Sequence, residues 1–158
     1  AFGAGAQYAN PDAEATTAYI GTLDDVARGK EAALAQISTD VDVIFHIANE
    51  AGVGVIEGAD EEGVYAIGFG FDQNSVAPET VLTSFTVSYP ALMVEAVRRI
   101  LDDEFVGEIQ KYGLEVGAVD IADFHGTVPD DVAAEIEKIR QDIIAGNVDI
   151  PRIDAPPE

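Results

Sequence analysis

The sequence contains no cysteine. That excludes a disulfide framework, a thiolate zinc site and a cysteine nucleophile, and it leaves the redox compartment open. It contains no apolar run of 18 or more residues, so it encodes no transmembrane helix. Basic residues are scarce. Lys and Arg number 8 against 30 Asp and Glu, for a net charge of −22. A chain this poor in Lys and Arg lacks the groups that neutralise phosphates, which argues against nucleic acid or an anionic membrane as a partner. The lysines are Lys30, Lys111 and Lys138 alone. There is no initiator Met and no signal peptide. Ala1 leads straight into the small-residue helical stretch AFGAGAQYANP, which reads as the inside of a longer protein or a processed product.

What is present is enough to fold. Hydrophobic residues make up 47% of the 158 positions, so a core can form and global disorder is excluded. The length suits one domain, or one lobe of a two-lobed fold. The acids are spread along the chain rather than gathered in a tail. Such a body repels itself at low ionic strength. At molar salt the Debye length falls to about 3 Å and the repulsion is screened. The composition therefore reads as a surface suited to high salt, like that of halophilic proteins.

Strand and helix signals alternate. EATTAYI (14–20), VDVIFHI (41–47), VYAIGF (64–69) and VLTSFTV (81–87) read as strands, and the unbroken apolar run at 41–47 suits a parallel strand covered on both faces. EIQKYGL (108–114) and VGAVDIADF (116–124) read as two more. A helix follows Asp24 and Asp25 with Val26, Ala33, Leu34 and Ile37 on its apolar face. A second spans about 50–62, with Asn49 as N-cap, Val55, Ile56 and Ala59 inward, and Gly63 as its stop. A third opens at Ser88-Tyr89-Pro90 and runs to about Asp103 over a stripe of Met93, Val97 and Ile100. The last starts at Pro129, with Thr127 and Asp130 as a capping box, Val132, Ile136, Ile139 and Ile143 as its apolar face, and Gly146 as its end. PRIDAPPE reads as an irregular tail. No internal repeat or low-complexity segment is found.

This pattern predicts an α/β fold: a parallel sheet of βαβ units with helices on both faces. Ligands of such sheets sit outside the carboxyl ends of the strands. The loops 21–25, 48–52, 69–75 and 87–89 then form one rim that carries Leu23, Asp24, Asn49, Glu50, Gly70, Phe71, Asp72, Gln73 and Ser88. Few motifs there carry chemistry. Gly52-Val53-Gly54 lacks the third glycine of a nucleotide fingerprint, since position 57 is Glu57, and reads as close helix–sheet packing. His46 and His125 have no spaced partner histidine, so no metal is expected; His46 reads as a satisfied, partly buried side chain. Asp60-Glu61-Glu62 and Asp102-Asp103-Glu104 oppose the helix dipole and need solvent or counterions. They lack calcium-loop spacing. Ser75, Ser84 and Ser88 lack a nucleophile elbow. No cofactor and no enzymatic activity are indicated.

Five segments carry a resemblance: AFGAGAQYANPDAE, YIGTLDDVARGKEAALAQI, VDVIFHIANEAGVGVIEGADEEGVYAIGF, DQNSVAPETVLTS and KYGLEVGAVDIADF. In order and spacing they resemble the basic membrane protein family, nucleoside-binding lipoproteins of ABC importers that include the purine nucleoside receptor. The resemblance implies one lobe of a type I periplasmic-binding-protein fold. Residues 1–87 would be the second-lobe domain, 88–147 the helix, strands and helix returning toward an absent first lobe, and 148–158 the tail. It implies an extracytoplasmic location, an anchor outside this sequence, an ABC permease as partner and a small polar solute as ligand. The implied ligand-binding residues are Leu23, Asn49, Glu50, Gly70, Phe71, Asp72 and Gln73.

Several of these depart from the family's pattern. Gly70 stands where the family's ribose-holding Asp is expected, Leu23 where a base-stacking aromatic is expected, Val87 where a Lys is expected, and Asn49-Glu50 where a Gly-Gly is expected. Two readings stay open: a solute-binding protein, or a structural and interaction module that keeps the fold without nucleoside binding. The apolar face of the last helix predicts a homo-oligomer or a partner chain.

Overall fold

The computed structural model describes residues 2–148. The elements run in chain order: α1 (Phe2–Ala9), α2 (Val26–Ile37), β1 (Val43–Phe45), α3 (Ala51–Glu62), β2 (Tyr65–Gly70), β3 (Val81–Val87), α4 (Tyr89–Leu101), β4 (Val119–Ile121) and α5 (Asp130–Ile144), with short 3₁₀ turns at Asn74–Val76 and Leu114–Val116. The sheet order is β1-β2-β3-β4. β1, β2 and β3 are parallel, with Ile44 opposite Ala66 and Phe69 opposite Phe85. β4 joins the far edge antiparallel, with Phe85 opposite Ile121. The architecture is α/β with a mostly parallel sheet, as the alternation of signals predicts.

The core lies between the sheet and α3. Ile56 and Ala59 of α3 meet Ala66, Val81 and Ala77, while Val55 meets Ile44 and Ala33 of α2. Full burial of a side chain the size of Ile56 stabilises by roughly 1.5–3 kcal/mol. On the opposite face Phe45, Phe69 and Phe85 form a row, and Phe2 of α1 lies 5.3 Å from Phe45 between ring centres. Helices thus address both faces, though α1 covers only one end of its side.

α2 and α3 approach backbone to backbone. A Cβ at Gly29 would overlap the Ala51 carbonyl, and one at Gly54 would overlap the Val26 carbonyl. The glycines of the 52–54 segment therefore divide: one packs α3 against the residue at the end of β1, in keeping with the helix–sheet packing expected, and the other serves a helix–helix contact. Gly54 admits α2, and Gly52 admits the ring of His46.

Local signals place three helix ends. Asp25 caps α2 by accepting from Arg28 N–H at 3.0 Å. Ser88 caps α4 by accepting from Ala91 N–H at 3.3 Å. Gly63 ends α3 at φ 70°. Other expectations fail. Residues 14–20 join no ladder; they run beside β1 across an open groove. Residues 108–114 form no strand, and only Val119–Ile121 of 116–124 does. Asn49 does not cap α3: it sits at φ 47°, and Glu50 occupies the cap position without a side-chain bond. Thr127 donates to the Leu82 and Phe124 carbonyls rather than building a capping box, and Pro129 precedes the first turn of α5.

The stripe on α4 is not buried. Met93, Val97 and Ile100 are all exposed, with Val94 and Leu101 beside them. A helix can carry an amphipathic pattern and still lack the surface it was patterned for. The stripe on α5 is half-buried at Ile136, Ile139 and Ile143 and exposed at Val132. PRIDAPPE, and all but the first residue of the 148–158 tail, lie outside the described residues.

Candidate functional site

The carboxyl ends of β1, β2 and β3 open onto one rim. The loop before α2 is fastened to it, because Ala51 N–H at the start of α3 donates to the Leu23 carbonyl at 3.2 Å. Leu23, Asn49, Glu50 and Phe71 are exposed there, together with Ile47. The segments 21–25, 48–52, 69–75 and 87–89 hold Asp24, Asp25, Glu50 and Asp72 and no Lys or Arg. A cavity of about 320 Å³ lies between residues 18–23 and the end of β1, bordered by Tyr19, Leu23, Ile47 and Ala48.

Gly70 has φ 92°, a left-handed conformation that strains any residue with a Cβ. Its backbone and its lack of a side chain are therefore coupled, and an Asp at this position would require a rebuilt turn. Asp72 follows it, but its carboxylate is already engaged. Oδ1 accepts from Asn74 N–H at 3.0 Å, and Oδ2 lies 2.7 Å from His125 Nε2. The Asn74 amide first, and His125 second, hold the Asp72 carboxyl below its ordinary value. Gln73 is turned inward and only 2% exposed. Its Oε1 accepts from Phe69 N–H at 2.8 Å and lies 2.9 Å from His46 Nε2, and its N–H donates to Ser84 Oγ at 3.0 Å.

Of the seven ligand-binding residues that the resemblance implies, the structure thus brings Leu23, Asn49, Glu50, Gly70, Phe71 and Asp72 to one edge of the molecule and puts Gln73 beneath it. Sequence reading missed His125 as a rim residue. It comes from 53 positions away in the chain, and no local signal pairs it with Asp72. His46 is more deeply buried than expected and only half satisfied: Nε2 is bonded, while Nδ1 has no partner. The acid cluster at the end of α3 finds local partners, with Asp60 accepting from Thr80 Oγ1 at 2.6 Å and Glu61 pairing with Lys30. Among the described residues no group of three His, Asp or Glu gathers as a metal site.

Residues 1–154 match the model of the Bmp family, described as ABC transporter substrate-binding protein PnrA-like. Basic membrane protein A of Borreliella burgdorferi is 34% identical over 152 residues, which are 94% of this chain and 45% of that protein. Basic membrane protein A2 of Borrelia garinii subsp. bavariensis is 33% identical over the same shares. The chain therefore spans about half the length of the curated relatives it matches. Among solved structures, a transcriptional activator of the comK gene from Bacillus halodurans superposes with a TM-score of 0.82 at 27% identity, over 93% of this chain and 52% of that one. An ABC transporter solute-binding protein from Aeropyrum pernix superposes with a TM-score of 0.75 at 21% identity, over 96% and 52%.

Proposed function

The chain belongs to the family of PnrA-like ABC transporter substrate-binding proteins, and from that premise we propose that it is part of an extracytoplasmic solute receptor whose ligand is not a purine nucleoside held in the family's manner. The receptor is anchored through a segment outside this sequence and delivers its solute to an ABC permease. The chemistry of the rim carries the reading of the ligand. Its charged side chains are acids, with the imidazole of His125 and the phenols of Tyr19 and Tyr89 beside them, and its exposed apolar and aromatic groups include Leu23, Ile47, Phe71, Tyr19 and Tyr89. An anionic solute would meet like charge without a cation to offset it. A cationic or polyhydroxylated neutral solute would find acceptors in Glu50 and Asn49 and apolar contact on Leu23 and Phe71. A ribose would lack the carboxylate that Gly70 has removed, and a base would lack the aromatic that Leu23 has replaced. Each lost contact is worth on the order of 1–3 kcal/mol.

The test is calorimetry on the full chain in molar KCl, with adenosine, guanosine and inosine in one series and with neutral sugars and a polyamine in the other. The expected result is no heat of binding for the nucleosides and saturable heat for a member of the second series. Micromolar or tighter binding of any of the three nucleosides would falsify this reading of the ligand.

The exposed α4 face favours a second reading, in which the main role is association. Met93, Val94, Val97, Ile100 and Leu101 form a continuous apolar strip on a chain that spans only half its relatives' length. A strip of this kind is an association site. Its occupant on this reading is the other half of the two-lobed fold.

A further inference from the structure

His46 closes a polar chain that crosses three strands in an otherwise apolar layer. It follows β1 directly and is 5% exposed; Gln73 is 2% exposed and Ser84 fully buried. Two glycines make the room. A Cβ at Gly52 would run into the imidazole, and a Cβ at Gly68 would overlap Ser84 Oγ. Glycine is thus required on both sides of the chain for it to fit at all.

The hydrogen positions follow from the donors. Phe69 N–H can only donate, so the Gln73 atom it reaches at 2.8 Å is the amide oxygen. The same oxygen lies 2.9 Å from His46 Nε2. An oxygen without a hydrogen cannot donate, so Nε2 carries the proton. The neutral ring then leaves Nδ1 as a bare lone pair, and Nδ1 is buried without a partner. Ionisation would place an N–H⁺ there with no acceptor. Burial is the main cause that holds the His46 pKa below its ordinary value, opposed by the Gln73 hydrogen bond. No charge contributes: Glu50 and Glu57 on the α3 side and Asp72 in the turn are all exposed, and none of them shifts the ring.

We propose that His46 is a positioning residue for the solute rim: its Nε2–H, through Gln73, clamps the 70–73 turn onto β2 and β3, and the clamp holds only while the ring is uncharged. The clamp fixes the turn that presents Gly70, Phe71 and Asp72, so its bearing on solute binding rests on the receptor reading above. The clamp itself does not. Its signature is acid release. A ring freed to solvent titrates near 6.5. Opening is therefore independent of pH above that value and grows up to tenfold per pH unit below it, until the lowered folded pKa is reached.

The experiment is NMR on the full chain in molar KCl, with ¹⁵N detection of the His46 tautomer and hydrogen exchange at the Phe69 and Gln73 amides from pH 5 to 8 (about 6.5 being the reference value). The expected results are an Nε2–H tautomer and an opening constant for both amides that is flat above the reference pH and steepens below it. His46→Gln keeps a donor near the Nε2 position and cannot titrate. It should keep the protection and remove the acid step. His46→Leu should raise opening at every pH. An Nδ1–H tautomer overturns the proposal, as does an acid step that survives in His46→Gln or an opening constant that never changes with pH. If the clamp behaves as stated while no solute binds, the receptor reading fails and the clamp stands.

Discussion

Replacing Gly54 by Ala separates two effects that usually run together. Alanine in a helix interior is favoured over glycine by about 1 kcal/mol. Gly54 lies inside α3 at a non-left-handed backbone, so propensity alone makes the substitution stabilising. The new methyl, however, would overlap the Val26 carbonyl and stand 2.9 Å from Lys30 N. Both are backbone atoms of α2, which cannot step aside as a side chain can. Overpacking costs about 1–3 kcal/mol where neighbours can yield. A fixed carbonyl puts this site at the upper end, so the net loss is about 2 kcal/mol once the propensity gain is deducted. For a chain of this size that lowers Tm by roughly 4–8 °C. Gly5 in α1 is the control. It is exposed, and a Cβ there meets nothing within 4 Å. Thermal and urea melts of Gly54→Ala and Gly5→Ala at one high salt concentration should move in opposite directions. If Gly54→Ala is as stable as the parent or more so, the backbone contact between α2 and α3 is not what selects glycine, and the reasoning fails.

Three further outcomes are expected. With a net charge of −22, Tm should climb from low-salt buffer to multimolar KCl, and a Tm indifferent to salt would remove the high-salt reading of the surface. Arg140 grips Asp120 with two hydrogen bonds, of 2.9 Å from Nε and 2.6 Å from a terminal nitrogen, and so ties α5 to β4. Arg140→Lys should cost about 0.5–1 kcal/mol, since lysine cannot form the fork and solvent screens part of the pair. The guanidinium holds the Asp120 carboxyl below its ordinary value of 3.8, so the contribution is complete above that pH and is lost as pH falls through the lowered value; acid melts that coincide for parent and variant above pH 3.8 would contradict it. Val97→Glu on the exposed α4 strip should leave the Tm of the chain unchanged and weaken, in sedimentation equilibrium, its association with the other half of the two-lobed fold supplied in trans, whereas undiminished association would show that this strip is not where that half sits.

Much of the fold was legible because its signals are local. β3 matches the expected strand over 81–87 because a β-branched and aromatic run ends at a Ser-Tyr-Pro helix start. α3 ends where Gly63 can turn left-handed. The rim was legible at one remove, since βαβ order dictates which loops share an edge. Residues 14–20 show the limit. TTAYI has strand propensity, but a strand is defined by a partner, and here the segment runs beside β1 without joining it.

Composition by itself determined that this chain is acidic and without cysteine chemistry, and the alternation of strand and helix signals determined its α/β class. The order of five segments determined the family. Tertiary structure alone decided what the rim residues do. Asp72 and Gln73 are adjacent in the chain, yet one is an exposed carboxylate tied to His125 and the other a buried brace tied to His46 and Ser84. Their roles diverge because hydrogen-bond partners are set by distance in space, and these partners lie between 11 and 53 residues away. Periodicity marks a face on α4, but it cannot state whether another surface comes to cover that face.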